Sequence, residues 1–444
     1  MHHAWAAGAR PYTRAGQTDP CSMPAPHRPA TARPARSRAV APWAAVSVAM
    51  FGVGWGANQY VAMAIAYHQV RGITVGTDQA LFGIYALGLV PALLVGGPVS
   101  DRWGRRAPVR VAAAVSVVAT LVLMAGSRAT WALFAGRFLA GVASGTAFAA
   151  GTAWVKELSA PPYDTAADGQ AGARRAAIAL SAGFGLGPVV AGLLAQWGPD
   201  PLVVPYLGHL ALMAVALPVM WGTSETVVAP DQATATLRSR LRVPRPARPR
   251  FLGIVLPLAP WVFAAPAVAF AVLPAVIAPR IHGQAVVFSG VTAGITLGTG
   301  VIVQPLARRI DRDHDARGAL AGLVAVLVGL GLASAAAAAA SPVLVLVAAA
   351  VLGAGYGLGM VSGLLEVQRL AGPDDLAGMT AIFYALNYVG FGVPVVLAEL
   401  APFATYPSML GGLGALAGAC AVVVTVADRR STTITSPTTV DLLP

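Results

Sequence analysis

A chain of 444 residues in which 57% are apolar and only 11% charged cannot cover ordinary water-facing domains, because soluble domains carry about 25% charged residues. A mean hydropathy of +0.69 points to a bilayer as the solvent instead. The net charge of +12 raises nucleic acid as a partner, and that reading depends on where the basic residues fall.

In chain order, residues 1–40 form a Pro/Ala/Arg-rich tail with no apolar core, so neither a signal peptide nor a folded domain is expected there. Met23 is a second candidate start. Apolar stretches of membrane-spanning length follow at 41–67, 79–100, 109–127, 131–155, 175–197, 202–222, 251–279, 285–306, 318–340, 343–366, 378–400 and 405–427. The expected fold is an all-α membrane protein of 12 transmembrane helices. It divides into a first six-helix bundle (41–222), a basic linker (223–250), a second six-helix bundle (251–427) and a tail (428–444). Cys21 and Cys420 are too far apart in sequence to suggest a disulfide framework or a metal-ligand spacing. No metal and no cofactor is expected.

The arginines orient these spans. The loops after odd-numbered spans hold only Arg71, Arg128 and Arg280, and Arg137 lies within the fourth span; every other basic residue falls in a tail or an even-numbered loop. The positive-inside rule then places both termini and the linker in the cytoplasm. Spread over seven segments without interleaved aromatics, these charges read as an orientation signal, and nucleic acid is excluded as a partner.

The chain also repeats. GPVSDRWGRR after the second span aligns with QPLARRIDR after the eighth: Gly97 with Gln304, Pro98 with Pro305, Asp101 with Arg308, Arg102 with Arg309 and Arg105 with Arg312, all offset by 207 residues. Internal repeats of this size are typical of secondary transporters.

Three motifs carry a family resemblance. The loop matches G-x-x-x-D-R-x-G-R-R in full, with Gly97, Asp101, Arg102, Gly104, Arg105 and Arg106. The fourth span holds R-x-x-x-G as Arg137 and Gly141, with Gly145 beyond. The fifth holds G-x-x-x-G-P-x-x-G-G as Gly183, Gly187, Pro188, Ala191 and Gly192, departing from the pattern only at Ala191. The chain resembles the major facilitator superfamily, in its 12-span drug:proton antiporter-like group. The resemblance implies two bundles that rock about a central site, and an Asp101 latch facing the start of span eleven. It also implies coupling through the span-four and span-five motifs.

The residues themselves suggest further roles. A charge within a span is expensive and functional by default, so Arg137 either gates and couples to proton movement or snorkels outward, about 9 Å from the interface by helix rise. His209, in span six, titrates near neutrality when unperturbed and is a candidate proton site. His68, Asp78, Glu157, Glu366 and Glu399 are expected at helix ends, within reach of water. Without a deep carboxylate, neutral or mixed substrates are favoured over lipophilic cations. Substrate-binding candidates are the midspan polar and aromatic residues Asn58, Gln59, Tyr60, Tyr85, Trp261, Tyr356, Tyr384, Asn387 and Tyr388. The amides either touch substrate or bond neighbouring helices. Trp43, Trp131, Trp197 and Trp221 are expected as interfacial anchors.

The functional expectation is a monomeric secondary transporter in a plasma membrane, of the bacterial inner-membrane type, that exports small amphiphilic compounds in exchange for protons. Uptake or exchange of a sugar or other metabolite is the alternative within transport, and a non-transporting sensor or scaffold the alternative outside it. An enzyme is excluded for want of a metal cluster, a phosphate loop or a paired nucleophile and base.

Overall fold

In a computed structural model, Gln59 divides the first expected span into two consecutive helices, α1 (Pro42–Asn58) and α2 (Tyr60–Arg71). The structure describes residues 40–169, 171–227, 243–281, 283–311, 315–372 and 375–435. Eleven further helices among these residues are long and apolar enough to cross a membrane. The first five are α3 (Val75–Trp103), α4 (Arg106–Ala125), α5 (Thr130–Leu158), α6 (Ala171–Trp197) and α7 (Val204–Trp221). Then come α8 (Arg245–Arg280), α9 (Ala285–Ile310), α10 (Arg317–Ala339), α11 (Pro342–Leu370), α12 (Gly378–Leu400) and α13 (Tyr406–Thr435). There is no strand among the described residues.

Local chemistry sets several helix ends. Gly72 closes α2 in the left-handed conformation (φ 64°), which costs glycine nothing. The Thr74 hydroxyl then caps α3 by accepting from the Thr77 N–H at 3.2 Å. Gly104, at φ 90°, turns the chain from α3 into α4. The seventh span starts earlier than expected, because Arg245–Ala247 and Arg248–Arg250 already form helical turns leading into it.

Helices α1–α7 and α8–α13 each enclose their own core. One core of the first half gathers Met50, Trp154, Val155 and Met213. The second half packs Leu258, Leu323, Leu352 and Val424. Small residues let the helices approach closely, the usual device where lipid supplies no hydrophobic drive. A Cβ on Gly187 of α6 would lie 2.8 Å from the Trp55 carbonyl of α1, and one on Gly183 would strike the Phe51 carbonyl. Gly141 and Gly145 of α5 sit against the carbonyls of Tyr85 and Leu89 in α3, and Gly353 and Gly357 of α11 sit likewise against Thr296 and Gly300 in α9. The same packing therefore recurs in both halves.

The halves meet at the end remote from the 97–106 loop. There Val61 and Phe82 share a cluster with Phe270 and Ala293. Ser289 donates to the Val61 carbonyl (3.4 Å) and Gln196 to the Gly283 carbonyl (2.7 Å). Trp131, Trp197 and Trp221 are exposed on the surface.

Candidate transport site and its gates

The arginine-rich end is organised around Arg105. Its guanidinium donates to Ser100 Oγ at 2.7 Å, to Asp101 at 2.5 Å and to Glu157 of α5 at 3.0 Å. Asp101 thus pairs within its own half. Its side chain is 45% exposed, and among the described residues its ion pair is with Arg105 and not with span eleven. Arg102 and Arg106 are exposed. Arg312, the aligned partner of Arg105, lies outside the described residues.

Glu225 completes this cluster, although the sequence reading placed it in the linker. Its two oxygens accept from the backbone N–H groups of Arg105 (2.8 Å) and Arg106 (2.9 Å) at the start of α4, where the helix dipole favours an anion. Trp154 holds the preceding residue through the Ser224 carbonyl (3.1 Å). A Cβ on Gly104 would meet this carboxylate at 2.5 Å, so the motif glycine makes room for Glu225 as well as for the turn. The second half repeats the device: Asp428, toward the end of α13, accepts from the Ala316 N–H at 3.2 Å at the head of α10. Partial burial raises the Glu225 pKa, but four backbone N–H groups, of Arg106, Arg105, Val227 and Thr226, outweigh it and hold the carboxyl below its usual range.

A carboxylate whose folded pKa is depressed contributes stability above its unfolded value, and loses it as pH falls through the folded one. Glu225→Gln is therefore expected to lower the melting temperature of the purified protein at neutral pH. The gap to wild type should close below about pH 4, the ordinary range of a glutamate. A gap unchanged between pH 7 and pH 3 would remove the charge from the explanation.

Arg137 is 2% exposed and does not snorkel. It donates to the Ala57 carbonyl of α1 (2.7 Å) and the Leu81 carbonyl of α3 (3.2 Å). Its guanidinium lies over the rings of Tyr85 (4.3 Å), Tyr60 (5.0 Å) and Phe82 (5.6 Å), contacts worth more once desolvated. One arginine thereby ties three helices together beside the break at Gln59. Behind Tyr60 stands Asp78, which accepts from the Tyr60 hydroxyl at 3.1 Å. Two helix-end expectations need correction here. Asp78 is 7% exposed and Glu366 2%. The first carboxylate is covered where the halves meet; the second is paired with Arg250 of α8.

The midspan candidates separate into two groups. Asn58 donates to the Phe184 carbonyl (2.8 Å) and Gln59 to Thr120 (3.1 Å). Thr120 in turn meets His209 Nδ1 (2.9 Å), so His209 is buried within the first half. With its amide turned to satisfy its neighbours, Asn387 donates to the carbonyls of Ala259 (3.0 Å) and Phe383 (3.1 Å). Trp261 belongs to the second-half core. These five side chains bind helix to helix.

Tyr85, Tyr356 and Tyr388, by contrast, converge at the seam. They surround two phenylalanines that sequence reasoning missed: Phe263 lies 4.7 Å from Tyr388, 5.2 Å from Phe391 and 6.1 Å from Tyr356. Tyr85 reaches across from the first half to Phe391 at 6.4 Å. Tyr384 packs partly buried at the margin. A phenylalanine in a hydrophobic span carries no periodic or polar signal to single it out.

The span-five motif spans both surfaces of α6. Gly183 and Gly187 face α1, while Gly192 approaches the Val286 carbonyl of α9 (3.1 Å for an added Cβ) and the Pro188 carbonyl abuts Gly290 (2.5 Å). The motif therefore supplies the close seam between halves.

The sequence pattern of the Major Facilitator Superfamily matches residues 43–395. The chain belongs to this superfamily. Its helices are those of a multi-pass membrane protein, and the superfamily is one of transporters rather than enzymes. Among superfamily relatives, a stretch of 141 residues is 34% identical to the tetracycline resistance protein, class C, of Escherichia coli, covering 31% of this chain and 32% of that protein. Another of 132 residues is 30% identical to the multidrug resistance protein MdtL of Klebsiella pneumoniae (strain 342), covering 30% and 28%. The chain thus spans about a third of the length of the relatives it matches. Solved structures agree over far more of the fold. A POT family transporter in complex with 5-aminolevulinic acid superposes with a TM-score of 0.71 over 88% of this chain and 96% of its own, at 15% identity. The nucleoside transporter NupG gives 0.66 over 87% and 98%, at 12% identity.

Proposed function

We propose that the protein exports small amphiphilic, aromatic-bearing compounds from a bacterial cytoplasm in exchange for protons, acting as a monomer by alternating access. The arginine-rich end, with both termini and the linker, faces the cytoplasm in this reading, and residues 41–222 and 251–427 are the two rocking bundles. The observation that carries it is the aromatic cluster at the seam, where Tyr85 of the first half meets Phe391 of the second, which packs with Phe263, Tyr356 and Tyr388 of its own half. A surface of ring faces with hydroxyl tips recognises flat amphiphiles. It lies between the two halves, and secondary transporters bind substrate at the interface of their repeats.

The relatives named for tetracycline and multidrug resistance support export. The tight α6–α9 seam supports it too, because small residues there let the far end close and release as a unit. A sugar site is disfavoured: Asn58, Gln59 and Asn387 already spend hydrogen bonds inside the protein. Arg137, His209 and the span-five residues are the coupling and gating elements of this reading, and Asp101 the charge freed or re-paired as the loop end closes.

The test is efflux of a panel of dyes and antibiotics from expressing cells, with and without a proton ionophore. Accumulation of at least one aromatic amphiphile should fall on expression and recover when the ionophore is added. Export that survives collapse of the proton gradient would overturn the coupling.

A further inference from the structure

Where the halves meet, a cavity of about 290 Å³ opens between α2, α3, α8 and the start of α9. The buried Asp78 and Gln79 line it, and Val61, Ile65, Phe82 and Phe270 form apolar walls. One Asp78 oxygen accepts from Tyr60. The other has no hydrogen bond or ion pair among the described residues. Gln79 Oε1 is likewise buried without a partner.

We propose that this cavity is a binding site for a small organic ammonium ion with an aromatic or aliphatic body. Gln79 makes no side-chain hydrogen bond among the described residues, and its amide can accept or donate. The free Asp78 oxygen, by contrast, is acidic and can only accept while ionised, so the ligand that satisfies it is a donor with positive charge. Burying a carboxylate without such a partner is costly, and the nearest cation in the network cannot serve: Arg137 lies on the ring of Tyr60 and donates to the Ala57 and Leu81 carbonyls. The other titratable side chain on the lining is His68, whose Nδ1 is engaged with the Ile73 carbonyl at 2.7 Å. The lining residues from α8 and α9 carry no charge.

The shape selects among cations. A proton needs no cavity. A bare metal ion wants several oxygens around it, and the walls here are mostly hydrocarbon. An ammonium group on Asp78 leaves its apolar body against Phe82 and Phe270, where aromatic faces favour cations as well as hydrocarbon. The sequence expectation of neutral or mixed substrates rested on the lack of a carboxylate deep in a span. Asp78 stands in the first turn of α3, yet it is a buried carboxylate that sequence reading left at a water-facing helix end. Binding is read at equilibrium without a proton gradient, so this inference stands or falls separately from the export reading.

The experiment uses the full-length protein in lipid nanodiscs, with Cys21→Ser and Cys420→Ala removing the native thiols and Gln69→Cys placing a reporter on the exposed rim of the cavity. Maleimide alkylation of the reporter is timed with phenethylammonium, with 2-phenylethanol of matched shape, or with sodium chloride. Phenethylammonium at about ten times its dissociation constant should slow alkylation about tenfold, because only the unoccupied protein reacts, while the alcohol and sodium at the same concentration change it less than about twofold. Asp78→Asn should abolish the protection and Asp78→Glu retain it in part. Equal protection by the alcohol would make the cavity merely apolar and overturn the proposal. Protection by sodium alone would make it a metal-ion site, with the same consequence. Unchanged ammonium protection in Asp78→Asn would also overturn it. The comparison of ammonium with alcohol is made with Asp78 intact, so it decides the matter even where Asp78→Asn does not fold.

Discussion

Arg137→Leu is expected to abolish transport and to lower the unfolding temperature of the purified protein. The guanidinium is fully enclosed and donates to carbonyls on two helices, and removing it leaves buried acceptors short of a donor. Each such acceptor costs roughly 1–3 kcal/mol. Arg137→Lys separates charge from geometry. A lysine keeps the positive charge but loses the planar fork that reaches two carbonyls while lying on Tyr85. Its export rate should fall about 10–100-fold, the equivalent of one lost hydrogen bond to a charged group. Melting curves in detergent and initial efflux rates in cells check both variants. Wild-type transport by Arg137→Leu would reduce the residue to a packing element.

Two valine substitutions are expected to give opposite results although both fill a glycine contact. Gly183→Val drives a side chain into the Phe51 carbonyl inside the first half, where the helices have no alternative arrangement. It should destabilise the fold by about 1–3 kcal/mol, the usual cost of overpacking. Gly290→Val meets the Pro188 carbonyl across the seam, where an added Cβ would lie 2.5 Å away. That contact is relieved by parting the halves, so the melting temperature should change little. Ser289→Cys, buried at the same seam, should then react with maleimide about tenfold faster when Gly290→Val is also present. A large loss of stability without increased reactivity would mean that the seam does not open.

The Asp101–Arg105 loop shows how far residue patterns reach. Its charges and its turn glycine are visible in one ten-residue stretch, because all of them serve one bend between two helices. Glu225, which completes the same cluster from 120 positions away, follows no motif spacing with it. Nothing local distinguishes it from other acidic residues in a polar segment. Asp78 failed differently. Three residues from the start of α3, it looks like a water-facing helix-end acid. It is covered because the second half packs over that end. Among the aromatics, Tyr85 and Tyr388 drew attention through their hydroxyls, whereas Phe263 and Phe391 offered only the hydrophobicity that every span shares.

Composition, span length and the placement of arginine determined by themselves that this is a many-span helical membrane protein with a repeated half. Those properties are averages over long segments, and a bilayer imposes them on any chain that crosses it. The three motifs added the superfamily, because each records a backbone constraint within a single loop or helix. Which amides point at neighbouring helices, which face of α6 forms the seam, and which carboxylate is left in a cavity were decided only by the tertiary structure. Each depends on the rotation of one helix against another, and in uniformly apolar helices that rotation is set by close packing of small residues, not by a polar face that the sequence could display.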